Sequence, residues 1–260
     1  MRVLALNEDV LVAVSSIWQT SCTAVRSGEE GFVIDSPVYP VELEALPGLL
    51  EQAGFPVSGL LATHGDWDHL LGRLAFPELA LGCGESTADR LGADPGHPVR
   101  ELRKFDEEHY VDARPPLLLA GIQSLPVPGR LSLGPERELE LHPTGGHTGD
   151  GTAFLIEWAR VLVCGDYLSP VEIPAINEGG SRDAYLATLD RLAPLIERVD
   201  TVVPGHGAPI ARERALQVWR EDVEYLRALA HEGAGAQLPA SRRNRTQGLA
   251  HAENVKQTDH

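Results

Sequence analysis

Short β-branched and leucine runs alternate with longer apolar stretches of helical spacing along this chain. Val3–Leu6 and Val10–Val14, separated by Asn7-Glu8-Asp9, predict a hairpin. Thr23–Val25 and Phe32–Ile34, parted by Gly28-Glu29-Glu30-Gly31, predict the next. Leu43–Ala53 places Leu43, Leu46, Leu49 and Leu50 on one face, the pattern of an amphipathic helix. Gly54-Phe55-Pro56 ends it, and Gly59–Thr63 reads as a buried strand. Further on, Leu79–Leu81 predicts a strand and Glu85–Leu91 a short helix. Residues 92–136, rich in Pro and Gly, carry no clear period. Glu138–His142, Thr152–Trp158 and Val161–Cys164 predict strands. Arg182–Arg198 predicts a helix with Tyr185, Leu186, Leu189, Leu192 and Ile196 inward. Thr201–Val203 is a strand, Pro209–His231 a long amphipathic helix, and 233–250 a linker, followed by an end that either docks as a short helix or stays mobile. Strand pairs early and late, with helices between, predict sheets covered by helices, an α/β or α+β fold.

Histidine and aspartate gather where four predicted strands give way to loops. The first segment is Thr63-His64-Gly65-Asp66-Trp67-Asp68-His69. His64, Asp66 and Asp68 alternate, so on extended backbone they share one face, and His69 points elsewhere as the chain turns. Four such side chains can serve two ions, and mixed imidazole and carboxylate suits Zn²⁺, Fe²⁺ or Mn²⁺. On its own the segment favours the metal site over a polar loop that caps a helix through Asp66 or Asp68. Three later segments decide the matter: Gly145-Gly146-His147-Thr148-Gly149, Val163-Cys164-Gly165-Asp166 and Val202-Val203-Pro204-Gly205-His206-Gly207. Their glycines permit the close backbone approach and positive φ that a crowded site demands.

This order of segments resembles the metallo-β-lactamase superfamily, whose signature is a His-x-His-x-Asp-His loop followed by His, Asp and His at later strand ends. The resemblance spans about residues 20 to 215. It implies an αββα sandwich with the site at one edge, and two divalent metal ions, Zn(II) first, with Fe or Mn as alternatives. It further implies that His64, Asp66 and His147 hold one ion, that Asp68, His69 and His206 hold the second, and that Asp166 bridges them, with Asp68 also orienting the attacking water as the catalytic residue. One position departs from the signature: Asp66 stands where the family usually has His. Counting two ions, three carboxylates and a hydroxide, the cluster charge is about zero instead of about +1, which favours a less acidic water and harder ions.

Composition narrows the partners. A net charge of −16 disfavours nucleic acid and anionic lipid, and Arg242, Arg243 and Arg245, the densest basic cluster, read as solvated. Cys22, Cys83 and Cys164 are odd in number and widely spaced, which points to a reducing cytoplasm. Asn7, Glu8 and Asp9 interrupt the N-terminal apolar stretch before any signal-peptide cleavage site, and no run of about 18 apolar residues spans a bilayer. The expectation is a cytoplasmic enzyme with a small-molecule substrate and neither nucleic-acid nor membrane partner; oligomeric state carries no signal. Residues 1–232 are expected to form the catalytic domain and 233–260 a linker and short tail. Cys164 reads as a buried apolar residue, His142 as a contact behind a ligand or a surface residue, and His109, Tyr110, Tyr167 and the loop Pro170–Gly180 as pocket candidates. Trp219 and Tyr225 read as core.

Three functions compete. The first is a metal-dependent hydrolase acting through a bridging hydroxide on a small ester, thioester, lactone or phosphodiester. The second is a di-iron oxidoreductase of the same fold fed by an external electron donor, since some relatives of that kind carry Glu where this chain has Asp66. The third is a catalytically silent binding scaffold.

Overall fold

A computed structural model describes residues 1–258. Its strands are β1 (Arg2–Ala5), β2 (Val10–Val14), β3 (Ser21–Ser27), β4 (Glu30–Ile34), β5 (Gly59–Ala62), β6 (Leu81–Gly84), β7 (Gln123–Leu125), β8 (Gly129–Leu133), β9 (Arg137–Pro143), β10 (Thr152–Ile156), β11 (Val161–Val163), β12 (Thr201–Val203) and β13 (Ile210–Ala211). The helices are α1 (Pro40–Gln52), α2 (Gly72–Ala75), α3 (Glu85–Ala93), α4 (His97–Glu108), α5 (Arg182–Ile196), α6 (Arg212–Glu232) and α7 (Arg245–Thr258). One sheet runs β1 to β7 in order; the other runs β13-β12-β11-β10-β9-β8.

Strand alternation explains the four layers. Val10, Val12 and Val14 point between the sheets, where Ile34 and Leu61 meet Leu139, Leu141, Phe154, Ile156 and Val163 of the second sheet. The intervening Leu11 and Ala13 turn outward onto Leu43, Leu46 and Leu50 of α1. In the second sheet Leu155, Leu162 and Val202 turn outward onto Leu189 and Leu192 of α5 and Val218 and Leu226 of α6. The central strands β2, β5, β10 and β11 are therefore buried on both faces, as sheets covered on both sides require. The result is the expected αββα sandwich.

Several boundaries move for physical reasons. The strand expected at 79–81 lies at Leu81–Gly84, where Leu81, Gly82 and Cys83 pair with Leu60, Leu61 and Ala62. A side chain at Gly82 would crowd Leu61 and Leu125, so the small residues are what let this strand fit. Residues 92–136 resolve into α4, β7 and β8. The helix expected from Pro209 starts at Arg212, because Ile210 and Ala211 first pair with Val202 and Thr201.

The C-terminal segment needs the largest correction. The expected linker of 233–250 packs on the domain, and Arg242, expected to be solvated, is 1% exposed. Its guanidinium reaches Glu172 O at 2.8 Å, Ser169 O at 3.3 Å, Glu221 Oε2 at 3.1 Å and Asp222 Oδ1. In α7, Gln247 Oε1 accepts from Ile173 N, Asn254 Oδ1 accepts from Ile176 N and Asn254 Nδ2 donates to Pro174 O, at 2.8, 2.8 and 2.6 Å. The last two residues of the expected tail, 259 and 260, lie outside the described residues. Among the described residues no helix is long and apolar enough to cross a membrane.

β4, β5 and β6 are parallel, as are β11 and β12, and β9 runs in their direction through the antiparallel β10. The C-terminal ends of β4, β5, β9, β11 and β12 meet along one edge, where Thr152 N donates to Thr63 O and Ser21 N to Gly205 O, each at 2.7 Å. Loops leaving that edge carry every residue of the candidate site.

Candidate metal centre

His64 follows β5 in a bend over residues 63–66, at the end of which Asp66 has extended backbone, with φ −73° and ψ 140°. Trp67–His69 then coil into a single 3₁₀ turn. The expected alternation of 64, 66 and 68 therefore holds for the first two only. The turn carries Asp68 away, so that His64 and Asp66 gather with His147, and Asp68 and His69 gather with His206. A third group, His64, His69 and Asp166, joins the halves. The structure thus brings together all seven residues singled out in the sequence.

Asp166 is central. One of its carboxylate oxygens lies 3.2 Å from His147 Nε2, 3.3 Å from His206 Nε2 and 3.8 Å from His64 Nε2, and the other lies 3.2 Å from His69 Nε2. Asp66 Oδ2 is 3.6 and 3.4 Å from His64 and His147 Nε2, and Asp68 Oδ2 is 3.7 and 3.5 Å from His69 and His206 Nε2. Two ligand atoms about 2.1 Å from one tetrahedral ion sit about 3.4 Å apart. The observed spacings surround that value.

Every histidine is held from behind. Nδ1 of His64 meets Thr63 Oγ1 at 3.0 Å, that of His69 meets Asp35 Oδ2 at 3.0 Å, that of His147 meets Ala175 O at 2.8 Å and that of His206 meets Trp18 O at 3.1 Å. These acceptors place the proton on Nδ1 and turn the Nε2 lone pair toward the cluster, where that of His147 also meets Asn177 Nδ2 at 3.3 Å. Among the described residues the buried Nε2 atoms of His64 and His69 and Oδ1 of Asp166 have no hydrogen-bond partner. Leaving buried polar atoms so costs about 1–3 kcal/mol each. Their clustering fits divalent ions. Gly205 completes the fit, because a Cβ there would collide with Asp166 Oδ1. At Gly146, φ +117° and the backbone of Tyr185 both exclude a side chain.

The field follows the same geometry. Burial works against the Asp66 carboxylate, but the close His147 and His64 imidazoles outweigh it and hold it well below the ordinary range. Burial likewise opposes charge on His206, yet Asp166 and Glu172 push it up to about 10.

Sequence reasoning missed several supporting residues. Asp35 accepts from Thr63 N and Thr63 Oγ1 as well as facing His69. Arg90 reaches Asp66 Oδ1 at 2.7 Å and Asp150 Oδ1 at 2.8 Å. Neither fits a motif, because each meets its partner through tertiary contact. Of the pocket candidates, Tyr167 OH accepts from His147 N at 3.1 Å, and His109 stacks on Phe105, which in turn packs on Trp67 and the half-exposed Trp18. Trp219 and Tyr225 pack in the layer between the second sheet and helices α5 and α6, Cys164 is buried there too, and His142 pairs with Glu140. A cleft of about 400 Å³ opens beside Asp66, bordered by Gly65, Ser86, Arg90, His97, Gly149 and Asp150. A larger hollow of about 660 Å³ around Phe55 and Phe76 lies at the opposite ends of the strands; none of the seven residues lines either hollow, but Gly65 and Arg90 adjoin Asp66 in the first.

The family profile described as the metallo-beta-lactamase superfamily matches residues 16–206. The chain belongs to this superfamily. Among solved structures, the metallo-β-lactamase fold recurs in a metallo-β-lactamase family protein from Thermus thermophilus, with TM-score 0.67 and 20% identity over 98% of this chain and 95% of that one. A metallo-β-lactamase from Pontibacter korlensis aligns with TM-score 0.61 and 16% identity over 84% of this chain and 98% of that one. A stereoselective inverting sec-alkylsulfatase from a Pseudomonas species aligns with TM-score 0.74 and 13% identity, covering 98% of this chain and 50% of its own. At these identities the likeness is one of fold. No curated protein matches the sequence.

Proposed function

We propose that this metallo-β-lactamase-fold protein is a dinuclear metal-dependent hydrolase of a small ester, thioester, lactone or phosphodiester. The observation that carries this reading is the convergence of four rear-anchored histidines and three carboxylates on one point at ligand spacing. His64, Asp66 and His147 would hold one ion, Asp68, His69 and His206 the other, and Asp166 would span both. When bound, such a pair supplies Lewis acidity and an acidified water.

The protein's own residues do the rest. Among the described residues no side chain bonds Asp68 Oδ1, so that oxygen is left to orient the attacking water and accept its proton. The anchored imidazoles keep the constellation from relaxing as charge develops at the substrate. The cleft beside Asp66 offers room for a small molecule, and the −16 net charge argues against nucleic acid and anionic membranes as partners.

A panel of chromogenic esters, thioesters, lactones and phosphodiesters, assayed with wild-type protein and Asp166→Ala, tests the proposal. The wild type should turn over at least one class, and the variant none, with matched circular dichroism. The carboxylate at position 66 is the one observation favouring a second reading, a di-iron oxidoreductase supplied with electrons by another protein.

A further inference from the structure

Each histidine of the cluster is oriented by an acceptor behind Nδ1, and a carboxylate at position 66 cannot use that device. It has no N–H to give, and its rear oxygen, left alone, is free to swing. A donor must hold it instead. Arg90 holds that rear oxygen: Nη2 reaches Asp66 Oδ1 at 2.7 Å, while Oδ2 faces His64 and His147 and accepts from Asn177 Nδ2 at the longer distance of 3.4 Å. The guanidinium is itself clamped. Nη1 reaches Asp150 Oδ1 at 2.8 Å, and Asp150, whose side chain is 1% exposed, also accepts from Gly65 N at 2.9 Å. A planar fork joining two carboxylates has little freedom to leave.

Charge points the same way. Asp66 in place of a neutral imidazole lowers the cluster charge by one unit, and the adjacent Arg90 cation restores it. Resting on the dinuclear reading above, we propose that Arg90 is the positioning residue that makes Asp66 serve where the superfamily usually has histidine. Positions 66 and 90 then work as one unit: the Asp–Arg pair replaces a histidine in both geometry and charge.

The test is a double-mutant cycle on the full-length protein, read as zinc affinity in competition with a chromophoric chelator. The proteins are wild type, Arg90→Gln, Arg90→Lys, Asp66→His and Asp66→His/Arg90→Gln. Arg90→Gln should weaken one of two zinc sites by about tenfold or more, the size of effect typical when a ligand loses its support. Asp66→His alone should also weaken that site, because Arg90 is left facing an imidazole and a cation. The double variant should return to within about twofold of wild type, the scatter of uncoupled sites. Arg90→Lys, which keeps the charge and loses the fork, should fall between wild type and Arg90→Gln. Melting of the chelated proteins checks the fold, and the Lys and double variants keep the cycle readable if Arg90→Gln is unstable. Additive losses, or wild-type affinity in Asp66→His alone, would overturn the inference while two ions in the wild type leave the dinuclear reading intact. Fewer than two ions in the wild type would remove both.

Discussion

Asp35 Oδ2 lies 3.0 Å from His69 Nδ1, and the same carboxylate accepts from the Thr63 amide at 2.8 Å and the Thr63 hydroxyl at 2.9 Å. That hydroxyl is 3.0 Å from His64 Nδ1. One buried carboxylate therefore aims an imidazole in each half of the cluster, directly at His69 and through Thr63 at His64.

Asp35→Asn should be costly although it keeps the shape. An amide cannot accept from all three donors: with its oxygen toward His69 and the Thr63 hydroxyl, its NH2 end faces the Thr63 amide N–H. Metal affinity measured by chelator competition should fall by about tenfold or more, with a smaller change in the melting temperature of the chelated protein.

The C-terminal helix should matter to the same site. Asn254 bonds Pro174 O and Ile176 N on either side of Ala175, whose carbonyl orients His147. Asn254→Ala should cost about 1–3 kcal/mol in urea unfolding and weaken the ion held by His147 more than the other. Arg242→Met should cost more, about 3–5 kcal/mol, because it strands a buried carboxylate. Burial, working against Arg242, already pushes Asp222 up to about 7.

The candidate ligand residues were legible in sequence because strand-end loops keep them in short, glycine-flanked segments. Strands apolar on both faces and the periodic leucines of α1 and α5 made the sandwich legible as well. What stayed hidden acts across the fold. Asp35 and Arg90 are single charged residues with no local pattern, and Arg242, Gln247 and Asn254 dock the C-terminal segment through polar bonds that apolar periodicity does not register. The swing of Asp68 into the second half was equally invisible, because it depends on a 3₁₀ turn beginning at Trp67.

Stability should depend on pH in opposite ways with and without metal. His206 is held up to about 10, against an unfolded value of about 6.5. Its contribution in chelated protein is present below that unfolded value and is lost as pH rises through the folded one. The melting temperature of chelated protein should fall between about pH 6.5 and 10, while that of zinc-loaded protein, whose imidazoles are already neutral, should hold steady or rise. Parallel profiles would show that His206 does not bind the ion.

The hydrolytic and redox readings separate cleanly. Iron-loaded protein given a chemical electron donor should show no sustained oxygen consumption, and the zinc form should carry the hydrolysis. Continuous oxygen turnover by the iron form would move the function to the oxidoreductase class.

Metal content after reconstitution tests the central claim most directly. Purified full-length protein, loaded with zinc and dialysed, should retain about two ions per chain, as a carboxylate-bridged pair requires. A ratio that stays near one under saturating metal would contradict the dinuclear centre.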